Sequence, residues 1–171
     1  MREYADLHAL LPHRHPILLV DRVVAVEPGV RIETRKTVSG SEPCYAAAPG
    51  GYGYPPTLLL ESFVQSAALL WAISLRSAAG SNDSAGSNGT DRLDGPDGEW
   101  TLVLGAVRDA QFHTTAYPGD VVRHEVRLEQ TVGSNAVLTG RSLVEGSAGT
   151  LLTVRSVVLS RRRALVAAGA R

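Results

Sequence analysis

A chain of 171 residues can bury one core without disulfides or metal staples, so a single domain is expected. Its 17 basic residues balance 17 acidic ones, which excludes a global field drawing it to nucleic acid or to an anionic membrane. The single cysteine, Cys44, excludes an internal disulfide framework, offers no zinc pattern and suits a reducing cytoplasm.

The first stretch, MREYADLHALLPHRHP, carries charges and histidines where an export signal needs an uninterrupted apolar core. Tyr4, Leu7, Leu10 and Leu11 recur at helical spacing, and Pro12 ends the short helix they predict. Aliphatic residues from Ile17 to Val26, the Pro28-Gly29 turn and the run Val30 to Val38 predict a hairpin. In its second strand Ile32, Thr34, Lys36 and Val38 share one face, and Arg31, Glu33, Arg35 and Thr37 the other.

Thr57 to Arg76 is the one long helix expected, entered through Pro55-Pro56 and apolar nearly all round, hence buried. At about 30 Å it is long enough to span a bilayer. Glu61, Gln65 and three serines within it, with no second such segment, argue against a membrane role. Ser77 to Glu99 is dense in Gly, Ser, Asn and Asp and too poor in apolar residues to offset its ordering entropy, so a flexible surface loop is expected over 77–99. Four strand-like runs follow: Trp100 to Phe112, Asp120 to Thr131, Ala136 to Val144 and Thr150 to Leu159. Their short, turn-rich connections favour neighbouring antiparallel strands. The order predicts an α+β domain over 1–160, an antiparallel β-sheet wrapped around one long central helix, with a frayed tail at 161–171.

Glu61 is the sharpest chemical signal. A carboxylate among Leu58 to Leu60, Phe63 and Val64 loses hydration and needs a partner, unless it stands at the helix start and points to solvent. Gln65, four residues on, shares its face, and the two would form a polar spot lining a pocket. His13 and His15, at i, i+2 beside prolines, make a metal site improbable, and structural contacts are expected of them. His113 lies in a strand facing either the interior or solvent, while His124, in VVRHEV, is expected to be exposed. No phosphate loop, dinucleotide fingerprint or metal pattern is present, so neither cofactor nor metal is expected.

Five blocks occur in one order over about 110 residues: LPHRHPILLVDRV from Leu11, EP at Glu42, a Pro-Gly at Pro49 followed by a proline at Pro55, LLLESFVQSA from Leu58, and FHTTAYPGD from Phe112. Together they resemble the FabZ family of 3-hydroxyacyl-acyl-carrier-protein dehydratases. The resemblance implies a hotdog fold, paired into dimers. It implies a site at the dimer interface, where a loop histidine of one subunit and a central-helix glutamate of the other face an apolar tunnel. The pair would remove a proton alpha to a thioester carbonyl and protonate the departing hydroxyl. Glu61 matches the family's glutamate and is the expected catalytic residue. Gln65, Tyr52, Tyr54 and Phe112 are expected to contact the acyl substrate. Where the family has its histidine the chain reads Tyr45-Ala46-Ala47-Ala48-Pro49-Gly50, so Ala47 or Ala48 occupies the lost catalytic position. Pro56 replaces a family glycine, which bears on how helix-terminal amides meet the thioester carbonyl.

An alanine methyl cannot accept a proton, so a homodimer should be a poor dehydratase by the family's mechanism. The reading favoured by the sequence is a cytoplasmic subunit of fatty-acid or polyketide synthesis. It would complete a shared site through Glu61 with a homologous, histidine-bearing partner, acting on an acyl chain carried by acyl carrier protein. A thioesterase using Glu61 to activate water, or a non-catalytic acyl-binding or scaffold subunit, are the alternatives. Substitution by His113, His13 or His15 is the remaining route, and nothing in the spacing places His113 near Glu61.

Overall fold

The computed structural model describes residues 4–46, 51–80, 94–95, 98–147 and 149–163. Helix α1 (Tyr4–Leu10) is followed by strands β1 (Arg22–Glu27) and β2 (Arg31–Thr37), a single 3-10 turn at Pro43–Tyr45, and the long helix α2 (Pro56–Gly80). Strands β3 (Asp94–Gly95), β4 (Gly98–Phe112), β5 (Val121–Val132), β6 (Asn135–Val144) and β7 (Thr150–Arg163) complete it. All pairings are antiparallel, in the spatial order β1-β2-β5-β6-β7-β4-β3. The sheet wraps α2, the arrangement expected of a hotdog fold.

Helix α2 starts on Pro56, whose fixed φ and missing N–H suit the first helical position, and the Pro55 carbonyl accepts the first bonds from Leu58 and Leu59 at 3.0 Å. From Ser62 to Ile73 every residue is buried, so this rod is the core around which Ile32, Val122, Val126, Leu138, Leu152, Val154 and Val157 of the sheet close. A helix of this length and composition passes as a membrane span, but 72% of its most apolar window is buried inside the protein. Its apolar surface is therefore satisfied by the sheet.

Four boundaries and one connection differ from the sequence reading. The helix runs on through Ser77 to Gly80 and β4 begins at Gly98, so both ends of the expected 77–99 loop are ordered; Ala78 and Ala79 are the strongest helix formers, and the first breaker is Gly80. Residues 81–93 and 96–97 lie outside the described residues. Arg161 to Arg163 are not tail but the end of β7, paired with Leu102 to Trp100, and the Arg161 guanidinium stacks 4.4 Å from the Trp100 ring centroid. Residues 164–171 lie outside the described residues. Ile17 to Asp21 do not extend β1, because Gln65 of α2 takes the Ile17 carbonyl and the Leu19 amide that a strand ladder would need.

The meander holds for β5, β6 and β7, but β4 pairs with β7 while β5 pairs with β2. Strands β4 and β5 are thus three sheet spacings apart, about 14 Å, and residues 113–120 reach across easily at about 3.3 Å each. That crossing segment is anchored by Tyr54 N–H to the Ala116 carbonyl at 2.7 Å and by Val38 N–H to the Asp120 carbonyl at 2.9 Å.

Candidate active site

Glu61 and Gln65 stand one turn apart on α2, facing the segment from Leu11 to Asp21. Gln65 is fully buried and its amide is fully used. Its Oε1 accepts the Leu19 N–H at 2.9 Å, and its Nε2 donates to the Ile17 carbonyl at 2.7 Å and to Glu61 Oε1 at 2.8 Å. A backbone N–H can only donate, so Leu19 fixes which end of the amide is oxygen and aims the NH2 at Glu61. His13 approaches the same carboxylate oxygen, Nε2 to Oε1 at 3.3 Å, with side chains 32% and 29% exposed. The loop carrying His13 is pinned by Arg14, whose Nη1 donates to the Leu11 and His13 carbonyls at 2.7 Å. Glu61 is therefore neither buried alone nor free in solvent. Its Oε1 accepts from Gln65 and has His13 within ion-pair reach, and among the described residues its Oε2 has no hydrogen-bond partner.

A second polar group lies near the 3-10 turn. Lys36, buried on the inner face of β2, donates to Glu42 Oε1 at 2.8 Å and to the Thr37 carbonyl at 2.7 Å, and its ammonium lies 5.6 Å from the Tyr54 ring centroid. Burial, then the Glu42 carboxylate, holds the Tyr54 phenol far above its ordinary range. Burial, then Glu42, also pushes the Cys44 thiol up, which keeps it protonated and a poor nucleophile.

A third runs across the sheet beneath α2. Thr34, His124 and Ser142 occupy one row of β2, β5 and β6, and all three are fully buried. His124 Nε2 lies 3.0 Å from Ser62 Oγ and Nδ1 2.7 Å from Ser142 Oγ, while Thr34 Oγ1 meets Ser66 Oγ at 2.7 Å. Ser62 donates to the Leu59 carbonyl at 2.9 Å, so it accepts from His124 Nε2–H and Ser142 donates to Nδ1. Burial, then the nearby Lys36 charge, lowers the imidazole to about 3, so it is neutral at physiological pH. The expected exposure of His124 is overturned: Val122, His124 and Val126 alternate toward α2, and the polar member is paid for by two serines.

Of the residues expected to contact substrate, Gln65 joins Glu61 but is sealed from solvent. Tyr54 is buried beside Lys36, whereas Tyr52 is 73% and Phe112 44% exposed. Ala47 and Ala48 lie outside the described residues. His113 is exposed and bonded to Thr153 at 2.8 Å.

No protein-family model matches the chain. The 3-hydroxyacyl-[acyl-carrier-protein] dehydratase FabZ of Chloroflexus aggregans is 35% identical over 131 residues, 76% of this chain and 77% of that protein. The chain belongs to the FabZ dehydratase family. The FabZ of Anaeromyxobacter sp. is 34% identical over 82% of this chain and 79% of its own length. Among solved structures, the dehydratase heterocomplex ApeI:P from Xenorhabdus doucetiae superposes with a TM-score of 0.69 at 14% identity, covering 92% of this chain and 91% of that one. A hypothetical thioesterase with coenzyme A from Streptococcus pneumoniae reaches 0.56 at 10% identity, covering 84% and 88%. These two likenesses show the hotdog fold. The cluster around Glu61 thus lies on the central helix of a FabZ-family, hotdog dehydratase subunit.

Proposed function

We propose that this subunit dehydrates 3-hydroxyacyl thioesters carried by acyl carrier protein, in fatty-acid or polyketide synthesis in the cytoplasm, with Glu61 as its acid–base group and a homologous subunit supplying a loop histidine. The observation that carries the reading is the state of Glu61: the FabZ-family carboxylate is kept, its Oε1 is tethered, and its Oε2 is left free for a reacting atom. The sequence where the family carries its loop histidine, Ala47 or Ala48, offers no proton acceptor. In the reaction one group takes the C2 proton and the other protonates the C3 hydroxyl. The C3–O bond breaks, the C2=C3 bond forms and water leaves.

Pairing is supported by β4, a sheet edge covered only by two-residue β3 among the described residues, with Val103, Leu104 and Phe112 exposed along it. A relative of the same fold is itself a dehydratase heterocomplex. The test is turnover of 3-hydroxyacyl pantetheine thioesters by the chain alone and together with a dehydratase subunit that has an intact loop histidine. Enoyl product from the mixture only, abolished by Glu61→Gln, is expected. Full activity of the isolated chain would remove the partner from the reading, and release of free thiol without enoyl product would replace dehydration by thioester hydrolysis.

A further inference from the structure

His13 and Gln65 converge on one oxygen of Glu61 from opposite origins. Gln65 comes from the same helix, and His13 from a loop forty-eight positions earlier in the chain that Gln65 itself tethers through Ile17 and Leu19. We propose that His13 is a positioning residue for Glu61, fixing the carboxylate rotamer from within the same chain so that Oε2 faces the substrate. This rests on the proposed role of Glu61.

The ring's surroundings separate positioning from direct proton transfer. Nε2 is turned to Glu61, and Nδ1 is buried with no hydrogen-bond partner, so no ring nitrogen is presented to a substrate. A histidine acting directly would have to show one of them to the reacting atoms within hydrogen-bond reach. With Nε2–H as the donor, Nδ1 carries no proton that burial would strand. The 3.3 Å separation is long for a hydrogen bond, as catalytic contacts often are before substrate binds. A glutamate side chain has three rotatable bonds, and Gln65 alone fixes one oxygen. A second contact on that oxygen from a different direction restricts the remaining swing of Oε2, where a misplacement of about 1 Å can cost on the order of 100-fold in rate.

Two measurements test it. In the first, nitrogen-15 resonances of the histidine rings are compared between wild type and Glu61→Gln. His13 should shift and His113, bonded to Thr153, should not; an unmoved His13 overturns the contact whatever reaction the protein performs. In the second, turnover by the two-subunit complex is measured for His13→Ala and His13→Gln. His13→Ala should lower kcat by roughly 10- to 100-fold with KM nearly unchanged, and His13→Gln, whose amide places a donor where Nε2 was, should recover most of it. Unchanged kcat in His13→Ala, while Glu61→Gln is inactive, overturns positioning and leaves the proposed function standing. If His13→Gln is as slow as His13→Ala at equal melting temperature, the histidine carries a proton itself and positioning is overturned. Turnover unaffected by Glu61→Gln removes the proposed function, and the nitrogen-15 comparison still decides the contact.

Discussion

Gln65 Nε2 donates to Glu61 Oε1 at 2.8 Å while its Oε1 accepts the Leu19 amide, so one buried side chain both orients the carboxylate and ties the N-terminal loop to the central helix. Gln65→Leu fills the same space but leaves the Ile17 carbonyl and the Leu19 N–H without partners in the interior. Each such group costs about 1–3 kcal/mol, so denaturant unfolding should show a loss of roughly 2–5 kcal/mol. Activity in the complex should fall further than that of His13→Ala, because the loop bearing His13 is released as well. Gln65→Glu provides a sharper comparison: it can still accept from Leu19 but meets Glu61 as a like charge, and should be no better than leucine.

His124 makes the fold sensitive to acid. Its pKa is lowered from 6.5 to about 3 by burial and then by Lys36. Below pH 6.5 the unfolded chain therefore takes up a proton that the folded chain refuses until about pH 3, so this contribution to stability is complete above the upper value and is lost as pH falls between the two. From this group alone, urea unfolding at pH 5 should be about 2 kcal/mol weaker than at pH 7. His124→Gln should be less stable at neutral pH but flatter across that window. An equally steep acid slope in the variant would assign it to other groups.

The same histidine marks the limit of what the sequence could tell. The alternation of Val122, His124 and Val126 was visible, and so was that of Ile32, Thr34, Lys36 and Val38, but periodicity says which residues share a face and not that a polar one on it will be buried. Burial follows from Ser62, Ser66 and Ser142 arriving from a helix and a neighbouring strand, a match settled only by tertiary register. The central helix was legible because nearly every face of it is apolar. Glu61 and Gln65 were legible because they interrupt it at helical spacing. His13 was legible only as one of three histidines able to stand in for the lost one, since its approach to Glu61 depends on a loop held by side-chain to backbone bonds across the chain. The order of β4 and β5 was missed because a turn-rich link of eight residues can close a hairpin or cross a sheet.

Buried Lys36 and partly buried Glu42 form a pair at 2.8 Å with side chains 7% and 14% exposed, next to the 3-10 turn at Pro43–Tyr45. Removing one partner strands the other's charge, so Lys36→Met should cost about 3–5 kcal/mol. In the double variant Lys36→Met/Glu42→Gln no charge is left buried, and at least half of that loss should be recovered. A double-mutant cycle by denaturant unfolding measures the coupling, and simple additivity of the two single losses would show the pair to be energetically unlinked.

Gly140 of β6 pairs with Val126 of β5, and a Cβ there would lie 2.0 Å from the Glu125 carbonyl oxygen. No rotamer relieves a clash between a Cβ and backbone, so Gly140→Ala forces the two strands apart just ahead of Ser142, the residue that anchors His124 beneath Ser62. Gly146 supplies the control. Its φ of +78° strains any L-residue, but a Cβ there meets nothing within 4 Å. Gly146→Ala should therefore cost only about 1 kcal/mol from the backbone, while Gly140→Ala should cost more than about 2 kcal/mol. Because Ser62 adjoins Glu61 on α2, the Gly140 variant should also lose turnover out of proportion to the Gly146 variant. Equal losses of stability in the two would mean that the sheet at Gly140 relaxes freely, and that the row beneath the helix does not depend on this close approach.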